Sequence, residues 1–282
     1  MKNKNRAILL MLLSAFSFSA MQIIVKILVQ IPLMEKVFFR NFISLILAYI
    51  VIKSKNLSFF GDKKNRKYLL GRSVFGYAGI ILFFFATTKM LAADAAILNK
   101  LSPIFVIIFA HYFLKENINK IHILALILSF VGALFVIKPE FNSSLIPAAS
   151  GFFSAILSGA AYVFIAYIGK KESVYTVVFY FSLFSVICSV PFLIFSFVIP
   201  NFYEFMLLLL LGSLAAFGQI ALTCAYNSCS ASEISIYDYS NIIFSAMLGY
   251  IFLSELSDLS SIIGGTLIIA ASFIVFLYNK GS

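Results

Sequence analysis

The stretch Ala92-Ala93-Asp94-Ala95-Ala96-Ile97-Leu98-Asn99-Lys100-Leu101-Ser102-Pro103-Ile104-Phe105 has a second copy 139 residues later: Ala231-Ser232-Glu233-Ile234-Ser235-Ile236-Tyr237-Asp238-Tyr239-Ser240-Asn241-Ile242-Ile243-Phe244. At the same shift Gly79 falls on Gly218, Ala86 on Ala225, Phe113 on Phe252, Glu116 on Glu255, Leu128 on Leu267 and Val136 on Val275. Each copy has room for five apolar spans. An odd number of spans means that the second copy enters a membrane upside down. Inverted repeats that meet at the bilayer midplane are an architecture of alternating-access carriers.

Composition agrees with a membrane chain. The sequence has 282 residues, 62% hydrophobic and 11% charged, against about 25% charged in a soluble domain. Apolar runs fall near 7–28, 33–52, 68–88, 91–114, 121–138, 148–169, 175–199, 202–228, 231–253 and 260–278. Each can be a helix of roughly 20 residues, the length that crosses a bilayer. The fold class is therefore all-α membrane protein, ten transmembrane helices in two inverted five-helix repeats around a central cavity. The repeats divide as 1–139 and 140–282, with the turn-rich stretch Pro139 to Pro147 between them. The start from Lys2 to Ala20 has the pattern of a signal peptide, but the apolar run continues past it, so it reads as a retained first helix.

The net charge of +10 is placed like a topology signal and not like a nucleic-acid surface. With the N-terminus inside, cytoplasmic segments receive Lys2, Lys4, Arg6, the basic run from Lys53 to Arg72, Lys115, Lys120, Lys170, Lys171 and Lys280. That is 15 of the 21 Lys and Arg, the positive-inside bias. The expectation is a multi-pass protein of the cell membrane with both termini cytoplasmic and no nucleic-acid partner. The run to Arg72 is read as a topology determinant, with contact to anionic lipid second. Cys188, Cys224 and Cys229 are odd in number and lack metal spacing, so neither a disulfide framework nor a zinc site is expected.

The repeat, the ten spans and one local pattern resemble the drug/metabolite transporter superfamily, in particular its ten-helix EamA-type members. The pattern is Ala92 and Ala95-Ala96, then Pro103-Ile104-Phe105, then Phe113-Leu114-Lys115-Glu116, then Gly132, with a weaker copy ending at Phe252-Leu253-Ser254-Glu255. Phe38-Phe39-Arg40 also looks like the family. The likeness covers nearly the whole chain. It implies bundle-like halves around a central cavity and export or exchange of a small metabolite, and it is silent on which one. This sequence has Ile242 where the second copy often repeats the proline.

Charge near the bilayer centre needs a partner or a water-lined cavity. At ~1.5 Å per residue, Asn99 and Lys100 lie about 12 Å below the outer end of the fourth span. Asp238 and Tyr239, their repeat equivalents, lie about 10 Å above the inner end of the ninth. Arg40 is about 10 Å below the outer end of the second. One reading pairs Arg40 or Lys100 with Asp238 as a structural bridge. The other makes Lys100 or Arg40 a grip for a substrate carboxylate or phosphate and Asp238 a grip for an amine, which together fit a zwitterion such as an amino acid. Asp238 is also a candidate for carrying a proton as coupling ion.

Tyr77, Tyr162, Gln219 and Tyr226 are further candidates for the cavity wall, with an interhelical hydrogen bond as the plainer role. Asp94 and Glu233 complement helix N-termini, and Lys26 and Lys89 are expected to snorkel to the interface. Pro103 should kink the fourth helix, without a matching kink at Ile242. His111 and His122 lack the carboxylate or cysteine support of a metal site. No phosphate loop, nucleophile elbow or zinc-protease motif is present, so neither enzyme chemistry nor a cofactor is indicated. The leading reading is a secondary carrier of a small molecule. A channel or facilitator, or a membrane-embedded lipid-modifying enzyme, is the alternative. A homo-oligomer stays open.

Overall fold

The computed structural model describes residues 2–114, 120–137, 145–228 and 237–281. The helices are α1 (Lys2–Ile27), α2 (Leu33–Ser54), α3 (Arg66–Lys89), α4 (Ala92–Asn99), α5 (Ser102–Leu114), α6 (Lys120–Ile137), α7 (Leu145–Ile168), α8 (Val174–Ser196), α9 (Phe202–Ser228), α10 (Ser240–Leu253) and α11 (Leu259–Gly281). One turn of 3₁₀ helix, Gly169–Lys171, follows α7. Among the described residues, seven helical stretches are long and apolar enough to cross a membrane, and 92–113 counts as one although it contains both α4 and α5. Three shorter apolar helices, 123–136, 240–253 and 259–275, fall on the fifth, ninth and tenth of the apolar runs in the sequence. Side chains such as Ile194, Phe195 and Ile199 stand exposed on the outer surface, as a lipid-facing wall requires.

The packing is two-fold in pattern. α3 lies along α7, and α9, its repeat equivalent, lies along α1; α2 packs on α8, α6 on α11 and α4 on α10. Exchanging the copies turns α3–α7 into α9–α1 and leaves the α2–α8 and α6–α11 pairings unchanged. The two repeats are not self-contained bundles: α1 sits against α9 and α10 of the second copy, and α7 against α3, α4 and α5 of the first.

Small residues set the crossings. The repeat-equivalent Gly79 and Gly218 face α7 and α1: a Cβ on Gly79 would lie 3.2 Å from Ser158 Oγ, and one on Gly218 3.1 Å from the Phe18 ring. Where α6 crosses α11, a Cβ on Gly132 would come within 2.7 Å of the Gly264 carbonyl oxygen, and one on Gly264 within 2.5 Å of the Gly132 oxygen. Backbones meet there because nothing stands between them, the means by which helices associate in lipid.

Helix ends carry the other positioning contacts. α10 ends on Ser254 in the left-handed region (φ 54°), with Glu255 N–H bonded to the Gly249 carbonyl, a Schellman-type stop. The turn swings Glu255 back over the bundle. Its carboxylate accepts from the Ala92 N–H at 2.9 Å, capping α4, and pairs with Lys26 of α1. Lys26, expected to snorkel to the interface, makes this pair and also donates to the Met90 carbonyl at 2.6 Å. Lys89 does remain exposed.

Candidate functional site

The fourth span breaks at its centre. α4 stops at Asn99 and α5 starts at Ser102; the Leu101 N–H reaches back only three residues, to Leu98 O at 3.1 Å. Pro103 has no N–H to continue the ladder. The second copy turns at Tyr239, immediately before α10, and the Ile242 N–H likewise bonds the carbonyl three residues back, Tyr239, at 3.0 Å. The sequence reading of a one-sided kink is therefore corrected, because both copies interrupt at repeat-equivalent positions. Proline is not required in the second. There the Ser240 hydroxyl donates to the Tyr237 carbonyl at 2.6 Å, a local side-chain bond that competes with the helical one.

The two breaks touch. Lys100 Nζ lies 2.7 Å from Asp238 Oδ2, with side-chain exposures of 10% and 12%. The other carboxylate oxygen, Oδ1, is buried and has no hydrogen-bond partner among the described residues. A buried pair is a strong structural bridge only when the remaining lone pairs are also satisfied; this one is half-finished.

Beside the pair lies a cavity of about 90 Å³. Its polar wall is Gln22, Arg40, Arg72, Asn99, Lys100, Ser158, Tyr162, Gln219 and Asn241; its apolar wall includes Phe18, Met21, Ile80, Phe83 and Phe84. Asn241 and Gln22 are tied in from α10 and α1, since Asn241 Nδ2 donates to Ser19 Oγ at 2.6 Å and the Ser245 hydroxyl to Gln22 Oε1 at 2.7 Å. Asn99 donates to Ser154 Oγ of α7 at 3.1 Å.

The feature missed in the sequence is Arg72. The basic run hides it among topology determinants, but α3 begins at Arg66, which puts Arg72 about 9 Å along the helix. It is 5% exposed, and its guanidinium carbon is 3.8 Å from the centre of the Phe181 ring. Arg40, 6% exposed, lies 5.9 Å from the centre of the same ring and donates from Nη1 to Asn41 Oδ1 at 2.9 Å. Among the described residues no carboxylate pairs with either guanidinium, and both Nε atoms are buried without a partner. Gly76, one turn on from Arg72, makes the stack fit: a Cβ there would collide with Arg72 Nη1 and approach the Phe181 ring to 3.1 Å. The glycine at i+4 was the sequence signal available.

Of the other candidates, Tyr77 stays off the cavity and shares a 3.1 Å hydrogen bond with Ser189 Oγ. Tyr239 is buried in an apolar cluster with Ile97, Leu98 and Ile242. Asp94 is in the first turn of α4, and the His111 ring packs against Tyr112. Lys115, Glu116, Cys229 and Glu233, and the side chains of His122 and Tyr226, lie outside the described residues.

Comparison with known proteins follows the same division of the chain. The model of the EamA-like transporter family matches twice, at residues 5–138 and 145–277. The pseudopaline exporter CntI of Pseudomonas aeruginosa (strain UCBPP-PA14) is 33% identical over 277 residues, 97% of each chain. An S-adenosylmethionine uptake transporter of Rickettsia bellii (strain RML369-C) is 26% identical over 280 residues, covering 95% of this chain and 92% of that one. A crystal structure of another protein superposes with a TM-score of 0.71 over 98% of both chains at 15% identity, a likeness of fold alone.

Proposed function

Because this chain belongs to the EamA-like transporter family, we propose that the cavity between its two broken spans is the substrate site of an alternating-access carrier. The protein is a multi-pass membrane transporter of a small metabolite and not an enzyme. The finer reading is a secondary exporter or exchanger of an organic compound bearing both a carboxylate and an amine. The observation that carries it is the Lys100–Asp238 contact at 2.7 Å, which joins the broken span of one repeat to that of the other beside a charged cavity.

The relatives are named for an exporter and for an uptake transporter, and the positive-inside bias orients the chain in the membrane. That bias puts both termini in the cytoplasm and the Lys26–Glu255 contact at the outer face. A cavity of about 90 Å³ is well short of the ~300 Å³ or more of pockets for drug-sized ligands. Substrate passage therefore requires the helices to move. A substrate carboxylate competes for Lys100 and an amine for Asp238, so binding loosens the link between the repeats. That couples occupancy to rearrangement, as differential contacts must. Asp238, once released from Lys100, is the group placed to carry a coupling proton.

The test is uptake of a pooled, labelled metabolite set into proteoliposomes, comparing wild type with Asp238→Asn and Lys100→Met. Saturable uptake of one class, abolished in either variant while insertion and folding survive, supports the reading. Undiminished uptake in both variants moves the site elsewhere.

A further inference from the structure

Among the described residues the cavity wall carries three cations, Arg40, Arg72 and Lys100, and no carboxylate; Lys100 is already engaged by Asp238 beside the cavity. Two guanidiniums are left over. Both are more than nine-tenths buried, both share the Phe181 ring, and neither has an anionic partner among the described residues. An unpaired buried cation is costly, and two beside one ring also repel each other. A ring face offsets part of this, as does the single Asn41 acceptor.

The two-fold scaffold does not demand the arrangement. The second spans align at a shift of 141, Val37 on Val178 and Ser44 on Ser185, so the repeat equivalents of Arg40 and Arg72 are Phe181 and Leu211, apolar residues that satisfy the same packing positions without charge. Glycine at 76 clears the space that Arg72 fills. The Lys100–Asp238 pair has no such surplus. Strain of this kind persists where it serves a ligand.

We propose that Arg40 and Arg72 form a paired anion clamp, and that the transported metabolite carries two negative charges beyond any that its own amine balances. This rests on the cavity being the substrate site. Two carboxylates or one phosphate supply that charge equally. A guanidinium fork suits either, since it donates in parallel to oxyanions. The Lys100–Asp238 pair then holds the remaining polar end. A simple neutral zwitterion leaves one guanidinium unpaired and is the poorer fit.

The experiment is thermal unfolding of the purified full-length protein with glutarate, glycerol 3-phosphate, leucine or putrescine at matched ionic strength. It is run on wild type, Arg40→Gln, Arg72→Gln and Arg72→Lys. Glutarate or glycerol 3-phosphate is expected to raise the unfolding temperature of wild type, and leucine and putrescine are not. Each glutamine variant should weaken the apparent affinity roughly 10- to 100-fold, the scale of a lost charge-assisted hydrogen-bonded contact; Arg72→Lys should retain part of it.

Without any probe, the glutamine variants should unfold at a higher temperature than wild type, because a repelling buried cation is gone. A purely structural arginine would do the opposite. The clamp is overturned if leucine or putrescine stabilises as well as the dianions. It is equally overturned if no probe stabilises wild type, or if the dianion response survives both glutamine changes. Proteoliposome uptake of neutral zwitterions, unaffected by Arg40→Gln and Arg72→Gln, sinks the clamp and leaves the carrier standing.

Discussion

Breaking the Lys100–Asp238 pair from one side should be far more damaging than removing it whole. At 2.7 Å and an effective dielectric constant near 20, the attraction is about 6 kcal/mol. Withdrawing each ion from water costs several kcal/mol, so the net contribution of the intact pair is near zero. Removing one partner keeps the other's desolvation and deletes the attraction, at a cost of about 3–5 kcal/mol. Asp238→Asn should be the worse of the two changes, since it leaves Lys100 beside Arg40 and Arg72 with no anion. Lys100→Met removes one of the crowded cations. The double variant Lys100→Met with Asp238→Asn should return to within about 1 kcal/mol of wild type, with a coupling energy of several kcal/mol and no transport. Reversible unfolding in mixed micelles at graded SDS, followed by circular dichroism, gives all four corners of the cycle. Single losses below about 1 kcal/mol that simply add would refute the intimate pair, and with it the claim that the two breaks touch.

Gly76→Ala should push Arg72 off Phe181, so the stabilisation by glutarate or glycerol 3-phosphate falls as it does in Arg72→Gln; an unchanged thermal response counts against the stacked geometry. Glu255→Gln removes the ion pair with Lys26 while an amide oxygen can still accept from Ala92. In a background with Cys188, Cys224 and Cys229 changed to serine, Ile23→Cys should then react several-fold faster with a maleimide, because Ile23 packs beside Ala92 and Leu248 under that contact. Equal rates would show that the pair does not close that end. Gly264→Val inserts side-chain atoms where the Gly132 oxygen already lies 2.5 Å from a Cβ position. Overpacking of this kind costs about 1–3 kcal/mol or more, measurable in the same micelle titration, and a neutral result would argue against the α6–α11 crossing.

The number of spans, their apolar character and the doubling of the chain were legible in the sequence because each follows from local quantities. Hydropathy over about 20 residues fixes a span, and repeat copies keep small residues where helices cross, as Gly79 and Gly218 do. The depth of Lys100 and Asp238 was legible too, since a helix converts residue number into distance.

Partner choice was not legible. Arg40 and Lys100 were equal claimants for Asp238 in the sequence, and only the contact of α4 with α10 awards it to Lys100. Arg72 looked like part of a basic loop because its neighbours are; its burial depends on where α3 starts and on α8 bringing Phe181 over it. The second helix break was invisible because a hydroxyl, Ser240, does there what proline does in the first copy. Periodicity and hydropathy are sums along the chain, whereas pairing of charges depends on distances between segments 138 residues apart, which no local sum contains.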